Sequence, residues 1–121
     1  MWIATNKGFY SIVQDRNDHG RVVVRARHRD HLVEFFDGIH HAKIIETTDS
    51  DYRFRCFVTR HISDQAVMRA LSEIDYENFK NSVKDNALHN AYLKIWSAMF
   101  NYQSDMYPGS AWWYHGDRFR N

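Results

Sequence analysis

Through the first sixty residues, apolar side chains recur at every second position in short runs, separated by clusters of turn-forming polar residues. Trp2 to Thr5 and Phe9 to Gln14 read as two strands, and Asn6-Lys7-Gly8 between them supplies hairpin chemistry. Beyond the polar loop Asp15 to Gly20, the run Arg21 to Arg27 alternates cleanly. Val22, Val24 and Ala26 fall on one side, Arg21, Arg25 and Arg27 on the other. The period then changes. Leu32, Phe35, Phe36 and Ile39 keep helical spacing, predicting a short helix from about Arg29 to Asp37 with Gly38 at its C-terminal cap. Two more strands follow, Ala42 to Thr47 and Tyr52 to Thr59. The second sets Tyr52, Phe54, Cys56 and Val58 against Arg53, Arg55, Phe57 and Thr59.

Helical spacing then takes over. Ser63 suits an N-cap for a helix carrying Val67, Ala70, Leu71 and Ile74. Asp75 suits the cap of another, from Tyr76 to about Tyr102, with the polar stretch Lys84 to Asn90 as a break point. Tyr92, Trp96 and Met99 read most simply as core. Alternating strands need one covered face, and amphipathic helices can cover it. The predicted fold is α+β: a mostly antiparallel sheet of four to five strands with helices packed on one face. It is compatible with a ferredoxin-like arrangement whose last strand is replaced by the N-terminal hairpin. One domain is expected over residues 1–103, and residues 104–121 form an aromatic tail that docks or binds a partner.

Composition sharpens this picture in two ways. With 121 residues, 44% of them hydrophobic, the chain supports one core, and eight Phe, seven Tyr and four Trp exceed what that core needs. Net charge is +1, so no global field draws the protein to nucleic acid or membrane, and any anion site must be local. No apolar run approaches the roughly 20 residues of a membrane span. The N-terminus lacks a signal-peptide pattern, and Cys56 is the lone cysteine. These features lead us to expect a cytoplasmic location without membrane association.

The sharpest candidate chemistry is a pair of arginine rows. Arg25 and Arg27 on the third strand and Arg53 and Arg55 on the fifth would share the sheet face away from the helices. Guanidinium forks match phosphate and carboxylate, and Phe57 or a nearby ring can stack a base. The same alternation also arises on any half-exposed strand whose charges are balanced by carboxylates such as Glu46. His28 and His31 have one-turn spacing, but no recognised metal-ligand pattern completes them, and no metal or cofactor is predicted. Cys56 falls among apolar neighbours, as inert packing does. Asp49 and Asp51 are about 20 Å from His61 across the fifth strand, too far to pair. No catalytic residue is therefore assigned. Trp112, Trp113 and Tyr114 follow Pro108-Gly109 without any period. Exposed, these rings would be costly unless they docked, so they are the candidate partner-binding residues.

Several segments together carry a resemblance. They are Met1-Trp2-Ile3-Ala4-Thr5, Gly8-Phe9-Tyr10-Ser11-Ile12-Val13-Gln14, Val24-Arg25-Ala26-Arg27, Asp51-Tyr52-Arg53-Phe54-Arg55 and Ile74-Asp75-Tyr76-Glu77-Asn78-Phe79-Lys80, with Tyr92, Trp96 and Met99. As a set these resemble a family of small, functionally unassigned proteins of bacteria and their phages, over about residues 1–102. The resemblance implies a phage or bacterial accessory protein and gives no residue a role. The expected function is a non-catalytic domain holding a nucleotide or nucleic acid on its arginine-bearing face. The alternatives are a protein-binding inhibitor or anti-defence accessory protein directed at a host protein, and an enzyme acting on nucleic acid. A homodimer is a further expectation.

Overall fold

A computed structural model describes residues 1–109. The chain divides into two compact units, Met1–Asp75 and the segment from Tyr76 onward.

The first unit holds a five-stranded antiparallel sheet. Its strands are β1 (Trp2–Ala4), β2 (Phe9–Gln14), β3 (Arg21–Ala26), β4 (Ile45–Glu46) and β5 (Phe54–Thr59), in the order β1-β2-β3-β5-β4. Helices α1 (Arg29–Phe36) and α2 (Arg60–Ser72) pack on β3 and β5. The α+β class and the antiparallel sheet are those the alternation predicts. β5 lies between β3 and β4, and the hairpin strand β2 takes the place on the other side of β3.

Val22, Val24 and Ala26 pair with Val58, Cys56 and Phe54 across β3 and β5. With Tyr10 and Ile12 of β2 they form the core, and Leu32, Phe35, Phe36 and Ala66 close it from the helices. At the hairpin turn the backbone of Gly8 lies against Tyr10. A Cβ there would collide with Tyr10 Oη and meet His31 Cβ at 2.9 Å, so only glycine fits. Tyr10 Oη donates to the His31 carbonyl at 2.8 Å, which ties the hairpin to α1.

Several expected details are corrected. The fourth strand shrinks to Ile45–Glu46. Ile39, Ala42 and Ile44 pack against the core from a loop, so their apolar character reports burial without strand pairing. β5 runs straight into α2, and the side chain of Thr59 caps the helix by accepting from Ile62 N at 3.4 Å. Ser63 is instead buried one turn inside, donating to the Arg60 carbonyl. Leu71, expected in the core, is 63% exposed. α1 ends as predicted, with Gly38 at φ 72° just beyond it.

The second unit contains α3 (Phe79–Ser82) and α4 (Asn86–Met106). The break falls at Val83 to Asp85, at the start of the polar stretch. Caps decide it: Asn78 accepts from Asn81 N and Asp85 from Leu88 N, each at 3.0 Å, so Asp75 caps neither helix. Phe79 stacks on Tyr92 with ring centroids 5.4 Å apart. Lys80 is buried, with Nζ 5.0 Å from the Trp96 ring centre. Burial lowers its pKa. Met99, expected in the core, is 59% exposed. Among the described residues no helix is long and apolar enough to cross a membrane.

Candidate functional site

Strand parity turns alternate residues of β3 and β5 away from α1 and α2, and the register lines them up. Trp2 pairs with Ser11, Ser11 with Arg25, Arg25 with Arg55, and Arg55 with Ile45. One row of side chains therefore crosses all five strands on the face opposite α1 and α2, with two arginines side by side near its middle. Like charges directly opposite in an antiparallel pair repel. Arg25 Nη2 donates to Ser11 Oγ at 2.7 Å, and Arg55 Nη2 donates to Ser50 Oγ at 2.7 Å. The Nε atoms of both are buried without a hydrogen-bond partner among the described residues.

Tyr52 organises the cluster. Parity on the fifth strand places it with Phe54 on the core face, but β5 begins only at Phe54, and the turn before it swings Tyr52 the other way. Its buried ring lies 4.7 Å from Arg25 Cζ and 4.2 Å from Arg27 Cζ. Its carbonyl accepts from Arg55 Nη2 at 3.4 Å. An aromatic face attracts guanidinium and can hold two of them near one another. Arg27 also lies 5.9 Å from the centre of the Phe9 ring, which in turn meets Trp2 edge to face at 5.6 Å.

Three of the four predicted arginines thus come together around Tyr52. The fourth does not. Arg53 Nε pairs with Glu46 Oε2 at 2.6 Å, the balancing carboxylate that the strand pattern also allowed. Among the described residues, Arg25, Arg27 and Arg55 have no carboxylate within 4.0 Å, whereas Arg21, Arg53 and Arg69 each do. Phe57 lies on the same face, but its ring meets Arg21, with Cζ 5.6 Å from the centroid. Sequence reasoning missed Tyr52 and the 71% exposed Trp2. Parity misled for the first. For the second, the signal was the hairpin register, which places it in the same row as Arg25 and Arg55.

The other candidates have structural occupations. His28 Nδ1 accepts from Asp30 N at the start of α1, and His31 Nδ1 accepts from Phe9 N. The two rings stack 5.4 Å apart. Among the described residues no three His, Cys, Asp or Glu side chains converge as metal ligands would. Cys56 is fully buried, and burial pushes its thiol above the ordinary value, which disfavours a nucleophilic thiolate. Trp112, Trp113 and Tyr114 lie outside the described residues.

No family model, no curated protein and no solved structure matches the chain.

Proposed function

We propose that the face bearing Arg25, Arg27 and Arg55 binds a phosphate-bearing ligand, a nucleotide or nucleic acid, and that the protein is a non-catalytic accessory domain of a bacterium or phage. The observation that carries this reading is the set of three guanidinium groups gathered at Tyr52 with no carboxylate to balance them among the described residues. Two like charges held opposite one another cost stability, and an anion bound at these half-buried guanidinium groups relieves that cost. Trp2 supports the base-bearing half of the ligand. It lies in the same row, exposed, and three strand spacings or about 14 Å from Arg55, a reach suited to stacking one base while phosphate sits on the forks.

The test is a titration of the full chain with inorganic phosphate, a mononucleotide and a short single-stranded oligonucleotide at several salt concentrations. Affinity should fall with rising salt, and Arg55→Gln should weaken binding and reduce the salt slope by about one. Without ligand, Arg55→Gln removes a like-charge contact together with the bonds to Ser50 Oγ and the Tyr52 carbonyl, so its own melting temperature is the baseline for the ligand effect. With ligand, only the wild type should gain stability. Trp2→Ala should weaken the nucleotide and oligonucleotide but not inorganic phosphate. Absence of measurable affinity at low salt, or binding indifferent to Arg55→Gln, rejects the proposal.

A further inference from the structure

Helix α4 carries more apolar surface than its own unit covers. Tyr92 is buried and Trp96 half-buried, yet Ile95, Met99, Tyr102 and Met106 are 43%, 59%, 59% and 57% exposed. Their spacings of four, three and four residues are those of a heptad seam, which is the pattern a second helix fills knobs-into-holes. Ala91 and Ala98, also exposed, run along one edge of this seam and allow a close approach.

We infer that α4 pairs antiparallel with α4 of a second copy of this chain. The sequence of the seam is complementary to its own reverse. With a two-fold axis between Ala98 and Met99, Ala98 of each copy faces Met99 of the other. Ile95 then faces Tyr102, and Ala91 faces Met106. Small side chains meet long ones at two of the three levels. This is the condition for an isologous interface, in which one patch serves both partners.

Charge selects the same geometry. Lys94 and Asp105 are the only acidic or basic residues of α4 apart from His89, and both are exposed. They are eleven residues apart, close to three full turns, and so lie on the same flank of the seam. In an antiparallel pair like flanks meet. Lys94 of each copy then comes within about 3 Å, along the axis, of the level of Asp105 in the other. In a parallel pair that flank would face the opposite one, where neither finds its counterpart.

The full chain should sediment as a dimer. Met99→Glu, at a site exposed in the single copy, should weaken dimerisation by more than about tenfold without altering the circular dichroism spectrum. Lys94→Asp and Asp105→Lys should each weaken it, and the two changes together should restore it, a readout that a folding defect would not reproduce. Under mild oxidation Ala98→Cys should cross-link across the axis, whereas Ala91→Cys, at the end of the seam, should not. The inference is overturned by a chain that stays monomeric at high concentration, by a dimer indifferent to Met99→Glu, or by Ala91→Cys linking as readily as Ala98→Cys. A monomer that dimerises once residues 110–121 are removed also overturns it, because the chain's own end then occupies the seam.

Discussion

Arg69 of α2 donates through Nη2 to the Glu34 carbonyl at the end of α1, at 2.7 Å. The same guanidinium donates to the carbonyls of Phe35, at 2.9 Å, and Asp37. One planar fork on a second helix thus satisfies several of the acceptors that every helix leaves open at its C-terminus, where positive charge is also favoured. α1 has no basic residue in its own last turn, so the charged part of this cap comes from α2, beside backbone bonds from Asp37, Ile39 and His40.

Arg69→Met should therefore cost roughly 3 kcal/mol in chemical denaturation, because charged hydrogen bonds are lost and carbonyls are left unpaired. Arg69→Lys should recover only a minor part, since an ammonium cannot reproduce the fork. Equal stability of the Lys variant and the wild type would show that charge alone suffices.

Gly8 and Tyr10 form a second coupled pair. Gly8→Ala drives a methyl into the Tyr10 ring and should cost about 1–3 kcal/mol. Tyr10→Phe removes the donor to the His31 carbonyl and should cost about 1 kcal/mol. It also removes the closest clashing atom, so the double variant should be more stable than the sum of the single effects predicts. Strict additivity in a double-mutant cycle would mean the turn relaxes without touching Tyr10.

Legibility followed the range of the forces involved. Strand and helix types were readable because burial imposes a period, and the arginine face was readable because parity is a local rule. Parity failed at Tyr52 for want of one fact, that β5 starts two residues later than the alternation does. The exposed Met99 and Leu71 were misassigned for a related reason. Apolar stripes on α2 and α4 are wider than the contacts they make, and a pattern of hydrophobicity does not say which part of a wide stripe is covered. Arg69, which caps a helix 32 to 35 residues away in sequence, left no trace in the pattern at all.

That distinction can be measured. Phe36 is fully buried and Leu71 largely exposed, although helical spacing marks both as core. Phe36→Ala should cost about 3–5 kcal/mol. Leu71→Ala should change stability by no more than about 0.5 kcal/mol, as surface substitutions do. A comparable loss for both in urea unfolding would show that the end of α2 is covered by a partner under the conditions used.

Alkaline pH offers a test of the buried core through its ionisable groups. Burial raises the pKa of Cys56 above its ordinary 9.0 and that of Tyr10 above its ordinary 10.0. Above those ordinary values the unfolded chain has released protons that the folded chain still holds. The unfolded state then binds fewer protons, so stability falls as pH rises from about 9 upward. Lys80 acts in the opposite sense. Its pKa is lowered by burial, so between that value and 10.5 the unfolded chain keeps a proton the folded one has lost, and stability rises with pH. The thiol and Lys80 oppose one another between pH 9 and 10.5, so the contribution of each is read by comparing unfolding free energies of variants with those of the wild type over that range. Cys56→Ala, although less stable at pH 8 because of its cavity, should lose the part of the slope that starts near 9. Tyr10→Phe should lose the part that starts near 10. A Cys56→Ala profile running parallel to the wild type through pH 9 to 10 would mean that the thiol reaches solvent, and that the packing of β3 against β5 is looser than the closed core described here.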